Sequence, residues 1–153
     1  MKMKKLQFQT KIHAPVAHVY TIMLGIDNRA TYEAWAAEFQ PTSTYEGNWE
    51  PGSKIRFIGI DQEGEKGGII AEIAANEPNR FVSIRTCGFV SKGVDITEGP
   101  EIEEWIGGLE NYTFQEENGM TTVTVDIDVT DDYIDYFSTT WPKALLKLKT
   151  ICE

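Results

Sequence analysis

Met120-Thr121-Thr122-Val123-Thr124-Val125-Asp126-Ile127-Asp128-Val129 alternates apolar with polar side chains, and just beyond Thr130 the period changes. Val123, Val125, Ile127 and Val129 share one side of an extended chain, with Thr122, Thr124, Asp126 and Asp128 on the other. That is a strand with one dry face and one wet face. From Asp131 onward Tyr133, Phe137, Trp141, Leu145, Leu148 and Cys152 recur at three- to four-residue spacing, which predicts a long helix with one apolar stripe. Thr130 suits its N-cap, and Pro142 within the pattern predicts a kink or restart. Lys143, Lys147 and Lys149 lie where cations complement the helix dipole. A half-dry strand and a one-striped helix cover each other.

Working back from that strand, Asn118-Gly119 is a strong hairpin signal joining it to Trp105–Glu116. Ahead of these lies a meander: Ser43–Trp49, a Pro51-Gly52 turn, Ser53–Ile60, Gly68–Ala75, a turn at 76–79, and Arg80–Cys87. Residues 88–104 are rich in glycine and acid and weakly patterned, which predicts a long loop. At the start, Leu6, Phe8 and Ile12 alternate with polar neighbours as a strand does. Val16, Val19, Tyr20, Met23 and Leu24 then form a helical face between Pro15 and Gly25. Asp27 or Asn28 caps a second short helix carrying Tyr32, Trp35 and Phe39. The order is strand, two short helices, six antiparallel strands, long helix. It predicts one α+β domain over 1–153, a curved antiparallel sheet of about seven strands wrapped around the C-terminal helix, with a cavity between them.

The 153 residues are 41% hydrophobic and 11% aromatic, enough for a core of their own without disulfide or metal. The 14 basic and 24 acidic residues give a net charge of −10, which repels phosphate backbones and anionic headgroups. Nucleic-acid and membrane partners are therefore not expected. The two cysteines, Cys87 and Cys152, form no paired framework, and no apolar run follows the basic start, so a reducing, cytoplasmic setting is expected. His13 and His18 do not share a helical face, and no metal-ligand spacing occurs, so no metal and no cofactor are expected.

The local sequence resembles a known superfamily. Ile12-His13-Ala14-Pro15-Val16-Ala17-His18-Val19-Tyr20 is similar to the strand-to-helix opening of the helix-grip SRPBCC proteins, the group of START domains, polyketide cyclases and birch-pollen allergens. Trp35, the stretch from Trp49 through Pro51-Gly52 to Phe57, and Gly67-Gly68-Ile69-Ile70-Ala71-Glu72-Ile73 are similar to its next landmarks. Trp141-Pro142-Lys143-Ala144-Leu145-Leu146-Lys147-Leu148-Lys149 is similar to its closing helix. The branch it most resembles is named for the activator of the ninety-kilodalton heat-shock-protein ATPase. The resemblance implies a helix-grip fold and a role among those of lipid carriers, cyclases, hormone binders or chaperone-interacting modules.

Trp35, Phe57, Trp105, Tyr112, Phe137 and Trp141 come from nearly every element, and they are expected either to fill the core or to line a cavity for a small hydrophobic or aromatic molecule. Residues 88–104 are expected over or beside its mouth. Glu110 shares a strand face with Tyr112 and Phe114. Turned inward, it would be a carboxyl of raised pKa able to act as acid or base, whereas a bulge at Gly107-Gly108 would turn it outward. Arg85 either pairs with a buried Glu110 or faces solvent; period does not decide. No hydrolase triad, nucleophile elbow or phosphate loop occurs. Three roles follow: a binder of a small hydrophobic molecule, an enzyme of cyclase or hydrolase type using Glu110 or a tyrosine, or a module with a chaperone partner.

Overall fold

In the computed structural model, which describes residues 3–153, β8 (Met120–Val129) runs between β1 (Lys4–Ile12) and β7 (Leu109–Glu117). Val123, Val125, Ile127 and Val129 are buried, and the polar residues between them lie on the other face. On that outer face Lys5 reaches Asp128 at 2.7 Å. Asn118 and Gly119 both take positive φ, at 54° and 77°, as the tight β7–β8 turn requires.

The remaining strands are β2 (Thr44–Gly47), β3 (Lys54–Ile60), β4 (Lys66–Glu77), β5 (Phe81–Ser91) and β6 (Val94–Ile96). All pairs are antiparallel, in the order β1-β8-β7-β5-β4-β3-β2, with β6 added beside β5. The sheet thus has eight strands. Irregularities in the β4–β5 register fall between Ile70 and Ala71 and between Ile73 and Ala75. Such bulges bend the strands and increase twist.

Helices α1 (Val16–Leu24) and α2 (Arg29–Ala36) follow β1. Gly25 ends α1 in the left-handed region, and a Cβ there would lie 2.9 Å from the Cβ of Tyr32, so the tight α1–α2 corner requires glycine. The free carbonyls at the end of α1 are taken up by aromatic donors. Trp35 donates to Met23, while Tyr45 and Trp49 donate to Leu24. Asn28 caps α2 by accepting from the Ala30 amide.

Two expectations for the C-terminal helix are corrected. α4 (Ile134–Cys152) continues through Pro142 with no restart. Pro142 and Ser138, whose carbonyl loses its usual donor, are both exposed, which leaves that carbonyl to solvent. Thr130 makes no capping bond, because a single 3₁₀ turn, Asp131–Tyr133, precedes the helix.

The long loop is corrected too. Residues 88–104 are the end of β5, a hairpin to β6, and the short α3 (Pro100–Glu103). The hairpin turns on Lys92 and Gly93, both at positive φ, and lysine is not a residue that announces such a turn. Val90 is buried with Ile58 and Ile70 in a small cluster separate from the main core. Among the described residues no helix is long and apolar enough to cross a membrane.

Candidate functional site

β7 carries the centre of the site. The strand starts at Leu109, beyond the Gly107-Gly108 pair, so its alternation is undisturbed and Glu110, Tyr112 and Phe114 share one face. Opposite Glu110 on β5 stands Ile84, and Val82 stands opposite Tyr112; both are buried. Glu110 therefore points to the inner side. Arg85, on the other side of β5, is exposed and pairs with Glu72 at 2.8 Å, so no Arg85–Glu110 pair forms.

Between this part of the sheet, α2 and α4 lies a cavity of about 390 Å³. Trp35 and Tyr32 of α2, Phe57 of β3, Tyr112 of β7 and Phe137 and Trp141 of α4 form its aromatic wall. Trp141 is the hinge of that wall, with ring centroids 5.6 Å from Trp35, 4.9 Å from Phe39 and 6.1 Å from Tyr112. Gln40, Ser43, Asp61 and Glu65 add polar groups, and Asp61 is exposed. Among the sequence candidates Trp35, Phe57, Tyr112, Phe137, Trp141 and Glu110 all lie on the cavity.

Trp105 does not. It precedes β7 instead of opening it, and its ring packs between Phe89 and Tyr133, at 6.2 and 5.5 Å. Residues 88–104 contribute nothing to the lining either. Tyr32 and Tyr136, by contrast, reach the cavity without having been singled out for it. Tyr32 lies three residues before Trp35 on the same helical face, and that spacing was the available signal.

Glu110 is the cavity carboxylate that lies beside the aromatic rings of β7 and α2. It accepts from the Tyr112 hydroxyl at 2.5 Å. Burial pushes its carboxyl above the ordinary value of 4.5, and the bond from Tyr112 pulls it partly back. Burial, and next the Glu110 charge, push the Tyr32 and Tyr112 hydroxyls well above their usual range, so both stay protonated. Above pH 4.5 the unfolded chain releases a proton that folded Glu110 still holds, so stability falls as pH rises through that window. Glu110→Gln keeps an acceptor for Tyr112 and carries no charge. The variant is expected to gain stability over the natural protein progressively as pH rises from 4.5, with little gain below it. Urea melts at a series of pH values check this; a gain that ignores pH would show a well-solvated carboxyl.

Among the described residues no group of three or more His, Cys, Asp or Glu side chains is placed to hold a metal ion. No protein-family model matches the sequence, and no curated protein does. Solved structures do. The solution structure of the Aha1 dimer from Colwellia psychrerythraea superposes with a TM-score of 0.71 at 21% identity, over 99% of this chain and 97% of that one. This chain has a helix-grip fold, a curved antiparallel sheet wrapped around a long C-terminal helix. The same helix-grip architecture is shared with protein Ms6760 from Mycobacterium smegmatis, at TM-score 0.66 and 17% identity over 99% and 95% of the two chains. It is shared also with CalU16 from Micromonospora echinospora, at TM-score 0.66 and 15% identity over 99% of this chain and 66% of that one. At such identities the likeness is one of fold, and what a helix-grip cavity holds depends on its own lining.

Proposed function

We propose that this protein binds a small, largely apolar aromatic molecule between the sheet and α4. The observation that carries this reading is the cavity itself. A half-open space of about 390 Å³ lies in the range of ligand pockets, and this one is lined mostly by aromatic and aliphatic side chains. Its aromatic rings offer flat faces, and Glu110 offers one fixed polar contact.

Prodan, an uncharged naphthalene dye whose emission moves to shorter wavelength in apolar surroundings, tests it. One-to-one binding with a blue shift is expected, together with a higher melting temperature, because a ligand of the folded state alone stabilises it by mass action. Thr86 lies on the cavity and is half-buried, so Thr86→Trp is expected to fill the space and weaken the dye at least about tenfold. Absence of dye binding to the natural protein, or equal binding to the variant, would remove this reading.

One observation favours a second reading, an enzyme of proton-transfer type: the raised carboxyl of Glu110 beside Tyr112. Turnover lost in Glu110→Gln while dye binding persists would establish it. A chaperone-interacting role has less support. Exposed apolar side chains, among them Ile26, Ile60, Ile69, Val94, Ile106, Met120, Tyr133, Tyr136 and Leu146, are spread over several strands, helices and loops.

A further inference from the structure

We infer that the molecule held in this cavity is an organic cation, an aromatic amine whose ammonium group pairs with Glu110 while its ring lies among Tyr32, Trp35 and Trp141. The inference rests on the cavity being a binding site and adds the charge of its occupant.

Its first support is the sign of every charged group on the cavity. Glu110, Asp61 and Glu65 are acidic, and no Lys, Arg or His lies among the described lining residues. The basic side chains nearest in the fold are engaged elsewhere: Arg85 with Glu72, Arg56 with Asp95, and Lys66 with Glu46. Arg29 stacks on the ring of Tyr45, 4.8 Å from its centroid, and is not on this cavity. Glu110 is thus a half-buried carboxylate in mostly aromatic surroundings that accepts from Tyr112 and has no cationic partner among the described residues. Leaving a carboxylate largely withdrawn from water without a partner is costly, and an ammonium ion brought by a ligand lowers that cost.

The second support is the wall. The faces of indole and phenol rings are negative, so they attract a cation and repel an anion. Tyr32, Trp35, Tyr112 and Trp141 lie next to one another, with Tyr32 and Trp35 at 5.0 Å and Trp35 and Tyr112 at 6.5 Å between centroids. A fatty acid or an aromatic carboxylate would instead meet three carboxylates and no cation. Asp61 is partly occupied by its own turn, where it accepts from the amides of Glu63 and Glu65, so Glu110 is the acidic group left for a ligand deep in the site.

Three molecules with one ring system separate the possibilities: tryptamine, tryptophol and indoleacetate, carrying an ammonium, a hydroxyl and a carboxylate. In competition with bound Prodan, tryptamine is expected to bind about tenfold or more tighter than indoleacetate, and tighter than tryptophol, the scale of one charge-assisted hydrogen bond. Glu110→Gln is expected to erase the preference for tryptamine over tryptophol while Prodan still binds. Asp61→Asn is expected to leave it in place. Near 1 M salt, where the screening length is ~3 Å, a preference set by buried Glu110 persists, whereas one set by exposed rim charges disappears. Equal affinity for the three indoles, displacement by none of them, or a preference unchanged in Glu110→Gln would overturn the inference. The Prodan titration reads cavity binding separately, so it tells failure of the charge assignment from failure of the site.

Discussion

A chain ending at Ser138 is expected not to fold. It lacks Trp141, Ala144, Leu145, Leu148 and Cys152, each 6% exposed or less, and with them the cover over the dry face of β1, β7 and β8. Each large side chain among them contributes about 1.5–3 kcal/mol by leaving water. The loss is comparable to the 5–15 kcal/mol by which a whole domain is stable. Exposing Val123, Val125, Ile127 and Val129 in addition leaves an apolar sheet face open to aggregation. Thermal melts followed by circular dichroism check it. A cooperative transition near that of the intact chain would show that α4 is an accessory and not the filling of the grip.

Where local chemistry decides, the fold was readable in the sequence. The alternation along β8, the Asn118-Gly119 turn, the Gly25 helix end and the Asn28 cap each depend on residues within a few positions of one another, and each is present in the structure. The stretch 88–104 was not readable. Lys92 occupies a turn position usually held by glycine or asparagine, and Val90 is buried on the outer side of the sheet by distant partners, Ile58 and Ile70. Tertiary packing overrode a weak local signal there. Pro142 does not restart the helix, since a proline whose orphaned carbonyl faces water need not end one.

The cavity wall shows the same division. Glu110 and Tyr112 share a face through simple alternation, and the seven-residue-scale stripe on α4 brings Phe137 and Trp141 inward. Trp105 fails because α3 and the Gly107-Gly108 pair delay the strand to Leu109, so its side chain belongs to a different neighbourhood, beside Phe89 and Tyr133. The pairing of Arg85 was set by the sheet register: Leu109 stands opposite it, while Glu72 lies across the other edge of β5.

Trp141→Ala is expected to cost about 3–5 kcal/mol, the range for removing a buried tryptophan side chain. Trp141 is 2% exposed and contacts rings from α2 and β7, so no single neighbour can move in to replace it. Trp141→Phe is expected to cost far less, about 1.5 kcal/mol or under. The indole N–H of Trp141 has no hydrogen-bond acceptor among the described protein groups, so phenylalanine breaks no protein hydrogen bond there. Phenylalanine therefore loses only part of the ring's packing, whereas alanine loses nearly all of it. Urea denaturation separates the cases, because a change in midpoint at constant slope reports stability alone. Should the phenylalanine variant lose as much as the alanine variant, the indole N–H makes a favourable contact. Should the alanine variant lose under about 1 kcal/mol, the sheet and α4 are held together elsewhere, and the aromatic wall around Trp141 is not what keeps the grip closed.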